Sequence, residues 1–331
     1  MATNSIEVIA TTISGSIKDW GKVKRIVPLF KERGRDDVTL HAVDSHAEAR
    51  ARTGDLIAGG ARTIISAGGS GTFNSVLEGC IDAGVPLGEI VLGFLRKGSA
   101  DLIGKTLDMP DEIDEAITVF AESLAAERTL PCDVIAATGG GEGPRHFVGY
   151  GGAGIFGRVP HYTENRFIKY YKGVLSQLFG DMGPFFVGAS LSVIETSLKG
   201  IVRRKPEWKI EVDGVERPPA RYQAMIIVNG DLGKDLPFAR DVPLGSGDFH
   251  MFALRDIGLR RLPGQFKHAW DASIMEDPER WGFEHYRIER GLTIAPDGGE
   301  TFPLNVDGST LVCSGSARFR IVDRINLISK A

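Results

Sequence analysis

The sequence predicts two domains: an α/β N-terminal domain on a parallel sheet, then a mostly antiparallel β-sandwich domain, with an interdomain cleft. Three observations predict this. At 331 residues the chain exceeds one hydrophobic core of ordinary size and suits two domains of about 100 to 200 residues each. The first third alternates apolar runs with helically spaced segments, the β-α-β-α-β order of a parallel sheet covered by helices. From Cys132 onward, short β-rich runs are separated by turns rich in Gly, Pro and Asp, the texture of an antiparallel sandwich or barrel. The boundary is expected at Leu130 or Pro131, giving domains 1–130 and 131–331, and the closing run Arg318–Ile328 can complete either.

Ile6–Ala10 reads as a strand, and Lys22–Phe30 as a helix because Val23, Ile26, Val27 and Phe30 share one face. Val38–Val43 alternates like a strand, Ala47–Ala58 is Ala- and Arg-rich like a helix, and Thr63–Ser66 is a further apolar strand. Glu112–Arg128 places Ile113, Ile117, Phe120 and Leu124 on one helical side. Strands are then expected at Asp133–Thr138, Arg145–Gly149, Trp208–Val212, Tyr222–Asn229, Phe249–Leu254, Tyr286–Ile294 and Thr310–Val312. Glu164–Phe179 interrupts them with Phe167, Tyr171 and Leu178 at helical spacing and Arg166, Lys169 and Lys172 between. That segment reads as a helix packed on the sandwich or, alternatively, as a basic amphipathic helix lying on anionic lipid.

The composition, 42% hydrophobic and 25% charged, is that of a folded chain. A net charge of −4 argues against nucleic acid as a partner, since neutralising phosphates needs a basic excess. Cys80, Cys132 and Cys313 are odd in number and lack metal-ligand spacing, as expected of reduced thiols in a cytoplasmic protein. No secretory leader is evident at residues 1–10, and no run reaches the roughly 18 apolar residues of a membrane-spanning helix. Any membrane contact is therefore expected to be peripheral. The seven histidines show no metal-ligand spacing and read as structural, and no G-x-S-x-G elbow is present.

The strongest local signal is Thr63–Ser66 running through Ala67 into Gly68-Gly69-Ser70-Gly71-Thr72, followed by a helix carrying Val76, Leu77, Cys80 and Ile81 on one side. Such a turn lets backbone N–H groups converge on an anion at the positive helix end with no Cβ in the way. Read alone, it is equally a tight turn without a ligand.

This segment, through Asn74, Glu78 and Gly79, resembles the GGDGT-x-N-E-V-x-N-G signature of the diacylglycerol kinase and sphingosine kinase family, whose GGDG core is shared with NAD kinases. Ile90–Pro110 resembles the family's apolar strand, P-x-GTGND-x-A turn and S-L-x-I-P ending, with agreement at Gly98, Ser99 and Thr106–Pro110. Weaker likenesses are Thr11–Gly15 to an NP-x-SG loop, Phe147–Gly154 to the opening of the second domain, Asn229-Gly230 to an N-G turn, and Val306–Ser309 to a DGE motif. The resemblance implies ATP held by Ser14, Gly68, Gly69, Ser70, Gly71, Thr72, Asn74, Arg96, Lys97, Gly98 and Ser99. It further implies Asp101, Asp307 and Ser309 at catalytic positions, Mg2+ as a cofactor with its ligands unknown, and a lipid as the second substrate.

Several acidic signature positions are altered. Ser70 stands for the Asp of GGDGT, Ser75 for the following Glu, Ser309 for the Glu of DGE, Asp101 and Leu102 for Asn-Asp, and Ser246-Gly247 for an Asp-Gly pair followed here by Asp248. Carboxylates in phosphoryl transfer hold Mg2+ or accept the hydroxyl proton, and serine does neither well at neutral pH. Asp101, Glu78, Asp248 and Asp307 are candidate replacements, each also readable as a surface carboxylate, and Arg96 and Lys97 are candidate cations for the anion. The expected function is thus an ATP-dependent kinase acting on a diacylglycerol-, sphingoid- or ceramide-like hydroxyl, or else a relative that binds nucleotide or lipid without turnover. Homo-oligomerisation stays open.

Overall fold

The computed structural model describes residues 3–11, 17–96, 102–141, 143–158, 206–233, 236–258, 260–270 and 273–330. The chain forms two units, one of Met1–Val134 with Asp323–Ala331, the other of Ile135–Val322.

In the first unit, β1 (Thr3–Thr11), β2 (Val38–Val43), β3 (Ala61–Gly68) and β4 (Val91–Arg96) lie in the order β2-β1-β3-β4, all parallel. The end of β16 (Ala317–Leu327) adds a parallel edge through Asn326↔Val91 and Leu327↔Leu92. Parallel strands are covered on both faces, so Ile6, Val8, Ile9, Ile64, Ile65, Leu92 and Phe94 are all buried and read as continuous apolar runs. Each fully buried side chain of this kind contributes about 1.5–3 kcal/mol.

The helices of this unit are α1 (Ile17–Glu32), α2 (His46–Ala58), α3 (Ser70–Asp82), the short α4 (Leu102–Thr106) and α5 (Ile113–Ala125). Ser45 starts α2 by accepting a hydrogen bond from the Glu48 amide, while Glu48 Oε2 accepts one from the Asp44 amide. Helices α2 and α3 cross closely at Gly79, where a Cβ would stand 2.4 Å from the Arg50 carbonyl oxygen. Phe30 of α1 and Phe120 of α5 stack at 6.5 Å between ring centres.

The second unit packs two sheets face to face. One has the order β12-β11-β10-β7-β14-β15, from β7 (Tyr150–Gly154), β10 (Tyr222–Val228), β11 (Phe249–Arg255), β12 (Phe283–Ile288), β14 (Thr301–Val306) and β15 (Ser309–Ser314), all antiparallel. The other contains β5 (Leu130–Thr138), β6 (Arg145–Phe147), β8 (Trp208–Val212), β9 (Val215–Ala220) and β13 (Leu292–Pro296) with β16. Phe147, Ile227, Met251, Ile294, Leu304 and Phe319 fill the core between them. Strand β8 shows the alternation that a half-buried sheet imposes: Trp208, Ile210 and Val212 point inward while Lys209 and Glu211 point out.

The run Tyr286–Ile294, expected as one strand, is two. Strand β12 ends at Ile288, and the amides of Glu289, Arg290 and Gly291 all donate to the Asp213 carboxylate before β13 begins. The turn is imposed by a partner 76 to 78 residues away, which local periodicity does not report. Strand β9 carries Pro218 and Pro219 and lies at the end of its sheet, where the missing N–H groups cost little. The expected helix Glu164–Phe179 lies outside the described residues.

Candidate anion site and the acidic residues of the second unit

Strand β3 hands the chain to α3 through Gly68 and Gly69. Gly69 is the helix N-cap, with no side chain capping the first turn and no acidic residue in it. The first amides of a helix have no intrahelical partner, so those at Ser70, Gly71 and Thr72 carry the positive end of the helix dipole outward. Helix α3 has 13 residues, enough to develop that dipole. The Phe73 amide already bonds the Gly69 carbonyl at 3.1 Å, which closes the first turn.

The three glycines are required for different reasons. A Cβ on Gly68 would stand 2.4 Å from Thr72 Oγ1 and 2.6 Å from Thr72 Cβ, so the strand end lies directly on that threonine. A Cβ on Gly71 would stand 2.8 Å from the His46 ring, at the start of α2. Among the described residues, a Cβ on Gly69 would meet nothing within 4 Å. That empty space lies beside the uncapped amides.

Thr72 is fixed from its other side by Thr11, the last residue of β1, whose Oγ1 is 2.8 Å from Thr72 Oγ1 in a buried contact. The likeness of Thr11–Gly15 to an NP-x-SG loop does not reveal this pair, nor does any motif reveal His46 beside Gly71. Farther along α3, Asn74 and Glu78 are buried, and Glu78 faces Arg50 at 3.8 Å. Ser75 bonds the Gly71 carbonyl.

Arg96, expected to face an anion, directs its guanidinium to the Met109 carbonyl at 3.0 Å and to Asp111 at 2.9 Å. Its side chain is only 6% exposed, and it braces the segment after α4. Ser14, Lys97, Gly98, Ser99 and Asp101 lie outside the described residues.

In the second unit, Asp307 and Gly308 form the two-residue turn of the β14–β15 hairpin, with φ of 42° and 84°. Positive φ at both positions is the type I′ geometry that favours Asp-Gly. The buried Asp307 carboxylate accepts hydrogen bonds from the amides of Val148 at 3.0 Å, Gly149 at 3.3 Å and Tyr150 at 2.8 Å. Burial pushes its pKa up to about 6, against the opposing pull of the three amides. A carboxylate offers about four lone-pair directions, so one is left after three donors. Ser309, the first residue of β15, follows this turn at intermediate exposure.

Asn229 closes the same loop, its amide side chain donating to the Val148 carbonyl at 2.9 Å. Asp248 is bonded by the Ser246 hydroxyl and by Arg287. Burial raises its pKa, and those two partners more than reverse this, leaving it below the usual carboxylate range. His250 Nδ1 and His285 Nε2 lie 2.9 Å apart on β11 and β12, and His285 stacks on Phe252 at 4.4 Å.

Among the described residues no three His, Cys, Asp or Glu side chains stand together as cation ligands. Glu78 faces an arginine, Asp248 is bonded to another, and Asp307 is held by amides, so each of these carboxylates has a protein partner. Among the same residues no helix is long and apolar enough to cross a membrane.

Residues 5–137 match the family model of the diacylglycerol kinase catalytic domain. Among solved structures, a Bacillus anthracis protein with the provisional name diacylglycerol kinase is 19% identical, with 99% of this chain and 98% of that one covered at a TM-score of 0.71. A second, named a diacylglycerol kinase from the same organism, is 17% identical over 98% of this chain and 96% of that one, at a TM-score of 0.65. An NAD kinase of Archaeoglobus fulgidus, solved in complex with ATP, is 10% identical over 98% and 94%, at a TM-score of 0.53. At these identities the likeness is one of fold, and it agrees with an α/β unit on a parallel sheet followed by an antiparallel β unit. No curated protein matches the chain.

Proposed function

We propose, from the match of residues 5–137 to the diacylglycerol kinase catalytic-domain model, that this chain is an ATP-dependent kinase phosphorylating a lipid hydroxyl. The acceptor is a diacylglycerol-, sphingoid- or ceramide-like lipid, reached by peripheral contact with a cytoplasmic membrane face. One observation carries the reading: the start of α3 is uncapped, free of acidic side chains, and open at Gly69. A triphosphate is the anion suited to it, bound by the amides of Ser70, Gly71 and Thr72.

In the reaction so proposed, the lipid hydroxyl oxygen bonds the γ-phosphorus, the bond from that phosphorus to the β,γ-bridging oxygen breaks, and ADP leaves. The hydroxyl proton passes to a base, and the DGE-like run Val306–Ser309 puts Asp307 forward for that role, its pKa of about 6 suiting work near neutral pH. Its three amide donors fix the orientation of the carboxylate. Mg2+, when bound, would be held largely by the phosphates of ATP with one or two carboxylates and would neutralise charge on the transferring group.

A second reading, nucleotide binding without turnover, is favoured by Ser70 and Ser309 at acidic signature positions and by the ties of Glu78 to Arg50 and Asp248 to Arg287. Calorimetric titration with ATP, with and without Mg2+, followed by labelled ATP against a panel of these lipids, separates the two. Transfer of label to one lipid class supports the kinase. Binding that is indifferent to Mg2+, with no label transferred, supports the second reading, and no binding at all refutes both.

A further inference from the structure

We infer that the outward face of the β5–β16–β13–β8 sheet in the second unit is a binding site for a phosphate group. A cavity of about 590 Å3 lies on this face, lined among others by Arg290, Arg318, Arg320, Thr293, Glu211 and Asp213. Its volume is in the range of small-molecule sites, and all six residues belong to the same unit.

The pleat explains how the arginines come together. Ala317 and Phe319 of β16 are buried in the core, so Arg318 and Arg320 project from the opposite face. Residues two apart on a strand lie about 6.6 Å from each other, which lets two guanidinium groups converge on one phosphate. Arg318 pairs in register with Thr293, and Thr293 with Glu211, which puts a hydroxyl beside the first arginine and a carboxylate one strand farther out. Arg290 enters from the β12–β13 turn, held by a 2.7 Å hydrogen bond from its Nη2 to the Asp213 carbonyl.

The charge of the cavity is unbalanced. Among the described residues neither Arg318 nor Arg320 has an ion pair or a side-chain hydrogen bond. The Asp213 carboxylate is turned to the amides of Glu289, Arg290 and Gly291, and although burial raises its pKa these bonds outweigh that and hold it below the usual carboxylate range. Glu211 makes no salt bridge to either arginine. Three guanidinium groups around a concavity, on a chain whose net charge is −4, suit an anion that takes forked hydrogen bonds, and phosphate is the class that arginine matches best. The headgroup of an anionic phospholipid and a free phosphate monoester share that chemistry. This inference does not depend on the nucleotide reading, because every residue in it lies away from the β3–α3 turn in sequence and in a separate unit.

The test is sedimentation of the full chain with vesicles of phosphatidylcholine alone and of phosphatidylcholine with one-fifth phosphatidic acid, with glycerol 3-phosphate as soluble competitor. Arg318→Gln/Arg320→Gln is compared with Arg52→Gln/Arg128→Gln, which removes the same charge from exposed positions of the first unit. The wild type is expected to prefer the phosphatidic acid vesicles, and the β16 pair to weaken that binding about thirtyfold, taking roughly tenfold or less per arginine, with the control pair much less affected. Competition by millimolar glycerol 3-phosphate identifies a free monoester as ligand, and its failure a lipid headgroup. Equal losses in the two double variants, or no binding by the wild type to either probe, overturn the inference.

Discussion

Thr11 Oγ1 and Thr72 Oγ1 meet at 2.8 Å, tying the end of β1 to the first turn of α3 across 61 residues. The contact leaves no room above Thr72 for anything larger than the hydrogen of Gly68. Gly68→Ala would place its Cβ 2.4 Å from Thr72 Oγ1 and 2.6 Å from Thr72 Cβ. Overpacking of this kind costs about 1–3 kcal/mol, so thermal unfolding of that variant is expected several degrees below wild type. An unchanged melting temperature would show that the turn is looser than the contact implies.

Gly79 makes an independent claim about α2 and α3. Its added Cβ would meet the Arg50 carbonyl at 2.4 Å and Thr53 Cβ at 2.7 Å. One neighbour is backbone and cannot rotate away, so Gly79→Ala is expected to destabilise by about 1–3 kcal/mol despite alanine's better helix propensity. Urea unfolding with an unchanged m-value is the check.

Asp307→Asn turns one carboxylate oxygen into an NH2 group facing amide donors. Leaving buried donors without an acceptor costs about 1–3 kcal/mol, and phosphoryl transfer is expected to fall at least a hundredfold. Because the folded pKa is raised to about 6 from 3.8, the folded state holds the proton longer than the unfolded state does. The stabilisation from Asp307 is then complete below pH 3.8 and lost as pH rises to 6. Activity should rise through pH 6 as the base ionises, and a wild-type rate flat from pH 5 to 7 would remove Asp307 from that role.

His250 and His285 titrate in the opposite sense. Burial holds both below the usual imidazole range, and each also faces charge from neighbours: Asp248 and Arg287 act on His250, and His250 acts on His285. The unfolded chain therefore binds protons first as pH falls below about 6.5, and stability drops with it. His250→Phe/His285→Phe keeps a stacked pair beside Phe252 and should flatten unfolding midpoints between pH 5 and 6.5. A slope equal to wild type would place the titration elsewhere.

The first unit was legible in the sequence because burial on both faces forces its strands into continuous apolar runs, as at Thr63–Ser66, and because glycines mark the turn into α3. The second unit was legible as texture more than as elements. Tyr286–Ile294 looked like one strand because Asp213, which turns the chain at Arg290, is far away in sequence. Pro218 and Pro219 hid β9, since prolines argue against a strand unless its position at the sheet's end is known. In the candidate site, Gly68, Gly69 and Gly71 could be read directly, whereas the Thr11–Thr72 contact and the direction of Arg96 depend on packing that no spacing encodes. Asp307 was found by motif, but its three amide donors were not.

The central claim is that the open space at Gly69, beside the uncapped amides of α3, receives the phosphates of ATP, and calorimetric titration of Gly69→Ala with ATP tests it most directly. The added methyl meets no atom of the described residues within 4 Å, so the melting temperature should stay within about a degree of wild type while ATP affinity falls about tenfold or more, some 1.4 kcal/mol. A variant that keeps both its stability and its full affinity for ATP would contradict the account.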